Sequence, residues 1–220
     1  MSIGLEVRMT LMQNRIVAEV GRFFGEKLAR LGPNPAGLDF NSEAAQTIRF
    51  RQFVRLLDFS APFSLIDFGC GYGALAPYLL NLGLPLRRYV GFDISREMIE
   101  AAGSQVPADL ETTLTTEVGD IETADFTVAS AIFNKKLQAD TAAWHQHIVD
   151  TLDILARASR RGFAFNMLTS YSDREKMRPD LYYGDPCWFF DHCKRNYSRN
   201  VALLHDYELY DWTISVRLDA

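Results

Sequence analysis

The 220-residue sequence predicts an α/β fold: a doubly wound, seven-stranded sheet whose last strand is antiparallel, beneath an N-terminal helical cap. Three observations carry this expectation. Short apolar runs alternate with helical patterns between about residues 64 and 168. The first apolar run opens into a glycine cluster. The last two apolar runs, 201–206 and 212–218, are joined by too few residues for a helical crossover, so they must pair antiparallel.

Taken in order, residues 12–31 space Ile16, Val20, Phe23, Phe24, Leu28 and Leu31 as one helical face. Gly32, Pro33 and Pro35 end that helix. A second helix is expected over 42–57, capped by Ser42 or Asn41. Strands are expected at 64–68, 88–94, 111–118, 126–131 and 162–168. Helices are expected at 74–82, at 95–102 with Ser95 as cap, and at 140–158 with Trp144, Ile148, Leu152 and Leu155 on one face. A further helix is expected at 187–197. The organisation read from this is a cap over 1–60 and a main domain over 61–220, with 169–200 inserted between the fifth and sixth strands.

A hydrophobic content of 48% suits one domain with a substantial core. The net charge of −5 argues against a partner gripped through its phosphates, so no nucleic acid is expected. Cys70, Cys187 and Cys193 are too few and wrongly spaced for a disulfide framework or a zinc site, and no metal is expected. The first residues lack the apolar core and cleavage site of a signal peptide, and no apolar run is long enough for a membrane span. A reducing cytoplasm is the expected setting.

The chemistry concentrates at the first strand-to-helix turn, Asp67-Phe68-Gly69-Cys70-Gly71-Tyr72-Gly73-Ala74. Glycines there admit positive φ and let a ligand approach the backbone. Asp93, at the end of the second strand, can accept hydrogen bonds from both hydroxyls of a ribose. Gly69-x-Gly71-x-x-Ala74 also satisfies a dinucleotide fingerprint, which leaves an NAD-type oxidoreductase as an alternative. Asp67 argues against it, because a carboxylate would repel a pyrophosphate and instead suits a cationic amine.

DFGCGYG, GFDIS and VGD resemble the first three motifs of class I S-adenosylmethionine-dependent methyltransferases, a Rossmann-like fold with a closing antiparallel strand. The resemblance implies S-adenosyl-L-methionine as cofactor. It implies that Asp67, Gly69, Cys70, Gly71 and Gly73 wrap the methionine part, that Asp93 holds the ribose and that Ile94 packs on the adenine. It places Asp120 and Ile121 at the adenine amine, and Ala131 to Phe133 under the sulfonium. The C-terminal half is similar to bacterial enzymes that tailor small metabolites, saccharides or modified peptides. That implies a small-molecule, saccharide or peptide acceptor, O-directed by preference. A non-catalytic cofactor-binding module is the other alternative.

At the carboxyl ends of later strands, His205 is the candidate general base, because histidine titrates near neutral pH. Its competing role is a pair with Asp206. Asn134, Asn166 and Tyr183 are candidate acceptor-binding residues, with loop-backbone bonding the competing role for the asparagines. The insert, rich in aromatic and basic side chains, is expected to serve partly as a lid. Asp185-Pro186-Cys187-Trp188 resembles the D-P-P-Y/F/W motif of amino-directed nucleic-acid methyltransferases, but it follows the wrong strand and is taken as chance.

Overall fold

The computed structural model describes residues 11–40 and 42–218. Helix α1 (Leu11–Leu31) and a 3-10 turn (Pro35–Leu38) lead into α2 (Glu43–Leu56). Then follow β1 (Phe63–Phe68), α3 (Leu75–Asn81), β2 (Leu86–Phe92), α4 (Arg96–Gln105), β3 (Glu111–Thr115) and β4 (Ala124–Ala129). The chain closes with α5 (Thr141–Ala158), β5 (Ser159–Leu168), α6 (Pro186–Asn196), β6 (Asn200–Leu204) and β7 (Asp211–Arg217). The strands form one sheet in the order β3-β2-β1-β4-β5-β7-β6. Strand β7 runs antiparallel to both its neighbours, and the other pairings are parallel. This is the expected architecture.

Two apolar layers flank the sheet. Phe50, Phe53 and Leu57 from the α2 side pack with Leu65, Phe126, Val128 and Ala164. On the other face Ile66, Phe68, Phe92, Phe163, Phe165 and Trp212 pack with Trp144, Ile148 and Leu152 of α5. Alternate residues of each strand therefore serve opposite layers. Every residue of β1 is buried, as a central parallel strand requires. Gly162 is dictated by the β5–β7 pairing, since a Cβ there would lie 2.5 Å from the Val216 carbonyl oxygen.

The helix caps follow the sequence. Ser42 accepts from the Ala45 N–H at 3.1 Å, while Asn41 lies outside the described residues, as do residues 1–10 of the expected cap and 219–220. Ser95 and Asp140 cap α4 and α5. Asp185 caps α6 by accepting from the Cys187 and Trp188 N–H groups, which gives the DPCW tetrapeptide a structural reason. Several strand ends differ from expectation: β2 stops at Phe92, β3 at Thr115, and β5 begins at Ser159. Strand β4 stops at Ala129 because Ala131 turns into the left-handed region (φ 60°), and β6 stops at Leu204, short of His205.

The insert 169–200 packs in part on the core. Phe189 and Cys193 of α6 are buried in the core, and the Trp212 indole donates to the Gly184 carbonyl at 3.0 Å. Of its aromatics, Tyr182, Phe189, Phe190 and Tyr197 pack in the hydrophobic layer around β5 and β7, while Tyr171 and Trp188 are exposed.

One buried ion pair ties α2 to the sheet. Arg49 donates from Nε and Nη2 to Asp211 at 2.5 and 3.2 Å, and its guanidinium stacks on Phe40. Arg49→Met should lower stability by about 3–5 kcal/mol, because it strands a buried carboxylate. Adding Asp211→Leu should restore most of the loss, as urea denaturation of both variants would show.

Candidate active site

A cavity of about 700 Å³ opens across the carboxyl ends of β1, β2 and β4. That is within the range of sites that enclose a small molecule. Its floor is the glycine-rich turn. Gly69 and Gly71 take φ of 79° and 54°, and a Cβ on Gly69 would strike Ile132 at 2.3 Å. Only glycine lets the chain make this turn. Gly73 (φ 82°) packs on Ala102 and Val106 of α4.

Asp93 locks the turn. Its carboxylate accepts from the Gly71 N–H and from the Ser95 N–H, each at 2.9 Å, so the turns after β1 and β2 share one anchor. Burial raises its pKa to about 6 in spite of these two bonds. Asp67 accepts from the Tyr89 hydroxyl at 2.8 Å and is likewise buried. Burial, with a smaller contribution from Asp93, raises it to about 7. Among the described residues no cationic side chain pairs with either carboxylate. Burial also pushes up the Cys70 thiol and the Tyr89 phenol, so both stay neutral. Two acceptor-only groups in a cavity wall call for a ligand that brings donors or positive charge.

The N-terminal helices form the roof. Val17, Val20 and Phe24 of α1, Leu38 and Phe40 of the following turn, and Gln46 and Phe50 of α2 all face the cavity. Gly21 allows α1 to approach Ile94, since a Cβ there would already come within 3.3 Å of that side chain. The roof is pinned by Lys135, which is almost wholly buried and reaches Asp39 and Asp180 at 2.8 Å each. Lys27 of α1 also holds Asp39, and Arg178 holds Asp180. Burial opposes it, yet the hydrogen bonds from Lys135 and Arg178 bring Asp180 down to about 2.

The expected site residues divide. Asp67, Gly69, Cys70, Asp93, Ile94 and Ala131 line the cavity, and Gly71 serves it through its bond to Asp93. Asp120 is exposed and accepts from Thr115, while Ile121 is buried in the core; Thr116, Glu117 and Val118 line that corner instead. Phe133 is a core residue whose carbonyl accepts from the Trp144 indole. Asn134 caps the Leu168 N–H, and the Tyr183 hydroxyl accepts from the Arg178 N–H, both away from the cavity. Asn166 bonds the Ala131 N–H at 2.6 Å and is fully buried.

His205 is not brought to the site. It is exposed just past the far edge strand, beside Tyr171, because β7 and β5 lie between β6 and β4. Nor does it pair with Asp206, whose carboxylate binds Arg55 of α2. Ile132, inside the expected 131–133 stretch, lines the cavity, and the residues missed by sequence reasoning include Gln46, Ser130, Trp144, His147 and Thr151. A signal existed for α5: Trp144, His147, Thr151 and Ile154 form a second helical stripe beside the core face. Burial lowers the His147 pKa and keeps that ring neutral.

A profile of the methyltransferase domain matches residues 65–162. The methyltransferase-family protein Rv1506c of Mycobacterium tuberculosis is 51% identical over 164 residues, which span 74% of this chain and 98% of that protein. The chain belongs to the class I S-adenosylmethionine-dependent methyltransferase family. Solved members share the fold at low identity. Magnesium protoporphyrin IX methyltransferase from Synechocystis PCC 6803, with bound S-adenosylhomocysteine, superposes with a TM-score of 0.64 at 16% identity, covering 92% of this chain and 99% of that one. The N-methyltransferase NodS from Bradyrhizobium japonicum WM9, in complex with S-adenosyl-L-homocysteine, does so at 0.61 and 13%, covering 93% and 99%. Among the described residues no helix of this methyltransferase is long and apolar enough to cross a membrane, and no three His, Cys, Asp or Glu side chains gather as a metal site.

The raised carboxylates should be visible in stability. Their folded pKa values exceed the unfolded values, so their contribution is fully present below about pH 4 and is lost as pH rises through about 6–7. Asp67→Asn should therefore be more stable than the unsubstituted protein at pH 8, by about 2–4 kcal/mol, with the gap closing towards pH 4. Denaturant titrations at several pH values, without ligand, would check the sign.

Proposed function

We propose that this methyltransferase transfers the methyl group of S-adenosylmethionine to an oxygen of a small acceptor with an apolar body. The observation that carries the reading is the pair of buried carboxylates, Asp67 and Asp93, which face one cavity without cationic partners. They fit the group. The cofactor's amino-acid end brings an ammonium for Asp67, and its ribose brings two hydroxyls for Asp93. Ile94 and Val118 offer apolar surface for the adenine, and the backbone around Gly69 and Ala131 bounds the reacting end. When bound, the cofactor supplies an electrophilic methyl group on a positively charged sulfur.

The chain's own residues then have three tasks. Asp67 and Asp93 fix the donor, the preorganised Asp93 at little cost in reordering. The roof of residues 11–60 excludes water and presents Phe24, Leu38, Phe40 and Phe50 to an apolar acceptor. On this reading the N-terminal segment is the cap of the catalytic domain, and the 169–200 insert is a fixed wall beside it. Among the described residues no lysine or arginine lines the cavity, which disfavours a phosphorylated acceptor such as nucleic acid. An NAD-type dinucleotide fits poorly, because Asp67 would face its pyrophosphate. The three free thiols suit the cytoplasm as the working compartment.

Titration calorimetry with S-adenosylhomocysteine and with NADH tests this directly. The first should bind and the second should not. Asp93→Ala should weaken S-adenosylhomocysteine at least tenfold, from about 2–4 kcal/mol of lost charge-assisted bonding, with the fold intact by circular dichroism. Affinity should also fall as pH drops through about 7, because a protonated Asp67 no longer pairs with the ammonium. A flat profile from pH 8 to 5.5 would remove Asp67 from the binding site.

A further inference from the structure

Asp67 and Asp93 answer the ammonium and the ribose of the cofactor, which leaves the carboxylate of its amino-acid end without a partner. Among the described residues no lysine or arginine lines the cavity to meet that charge. A carboxylate taken out of water needs hydrogen-bond donors in place of the waters it loses. The glycine-rich turn has already spent most of its own. The Gly69 and Cys70 N–H groups donate to the Phe92 carbonyl, Gly73 donates to the Cys70 carbonyl, and Gly71 donates to Asp93.

The polar side chains of the wall are mostly committed as well. Thr116 donates to Glu117 at 3.4 Å, and Thr151 donates to the His147 carbonyl at 2.8 Å. Ser130 Oγ and its neighbour Asn166 Nδ2 have no partner, but both atoms are sealed from solvent and so are closed to a ligand. His147 belongs to α5, which packs on the layer of Ile66 and Phe68. Asp67 alternates with those two residues and faces the other layer, where its partner Tyr89 lies.

Gln46 is on the Asp67 side. It stands in the first turn of α2, lines the cavity and is only 4% exposed. Its Oε1 accepts from the Tyr72 hydroxyl at 2.8 Å, and Tyr72 is a buried residue of the glycine-rich turn. That bond sets the rotation of the amide and leaves Nε2 as the free end, a donor. Among the described residues Nε2 has no partner, yet it is not sealed off as Ser130 Oγ is. A side chain this buried turns its remaining surface to the cavity it lines.

On the donor site of Asp67 and Asp93, we propose that Gln46 receives the carboxylate of the cofactor's amino-acid end, and that Tyr72 is the positioning residue that aims the amide. The two ends of the amino acid then meet opposite chemistry, an acceptor at Asp67 and a donor at Gln46. A neutral donor suits this place. A lysine or arginine here could pair with the buried carboxylates in the empty protein and compete with the ammonium. Because Gln46 stands on the roof and Asp67 on the floor, one end of the ligand ties the two together.

Titration calorimetry on the full chain tests this with two ligands, S-adenosylhomocysteine and its decarboxylated analogue, which keeps the amine. Gln46→Leu should weaken S-adenosylhomocysteine about tenfold and the analogue by less than about twofold. Gln46→Glu should weaken S-adenosylhomocysteine further, because like charges meet, and should leave the cationic analogue no weaker. Tyr72→Phe should weaken S-adenosylhomocysteine about threefold and spare the analogue, which a merely structural role would not do. Equal losses on both ligands, or an unchanged affinity of Gln46→Leu for S-adenosylhomocysteine, would overturn the assignment while leaving the donor site standing. If Gln46→Leu does not fold, the same comparison on Tyr72→Phe decides. Failure of the unsubstituted protein to bind S-adenosylhomocysteine would instead overturn the donor site, and this proposal with it.

Discussion

The hydrogen bonds from Gly71 and Ser95 to Asp93 hold the working edge of the molecule together. One carboxylate joins the turn after β1 to the turn after β2, and so fixes the two loops that a ligand must meet together. The glycines of the first turn make the curve sterically possible, but they do not choose one curve; the carboxylate does. Because Asp93 is buried, each bond is stronger than it would be in water, and the cost of desolvating the charge is correspondingly high. A bound cofactor would relieve that cost.

The roof depends on a second electrostatic device. Lys135, from the loop after β4, is flanked by Asp39 of the N-terminal segment and Asp180 of the insert, and its ammonium lies 4.7 Å from the centre of the Phe23 ring. Three segments far apart in sequence thus converge on one buried cation. Arg49 and Asp211 do the same for α2 and β7. Such pairs contribute modestly to net stability, but they strongly oppose arrangements that leave one member unmatched. They therefore fix where α1 and α2 sit, and with them the apolar surface that roofs the cavity.

Much of the fold was legible in the sequence, because strand and helix periods are local properties. The alternation from residue 64 to 168 and the short connection before β7 predict a doubly wound sheet with an antiparallel last strand without any long-range contact. The corner after β3 was less legible. A 3-10 turn over Val118–Asp120 carries Asp120 outward to Thr115 and brings Thr116, Glu117 and Val118 to the cavity. A shift of two or three residues in a short turn lies below the resolution of pattern reading. Asn134 and Tyr183 lie in loops, where polar side chains often satisfy nearby backbone, and here both do.

What the sequence determined by itself was the set of groups tied to one turn: Asp67, the glycines, Asp93 and the caps of the helices that follow. Their positions relative to one another are fixed by a few bonds of adjacent backbone. What only the tertiary structure decided was which distant groups share a space. His205 follows an apolar strand in the sequence, yet two strands separate it from β4 in the sheet. Ser130 and Asn166, thirty-six residues apart by number, become neighbours through the β4–β5 register, and their unmatched atoms exist only once that register has formed. Burial is a property of the assembled layers, and so the raised pKa values of Asp67 and Asp93 arise only when the sheet and its roof close over them.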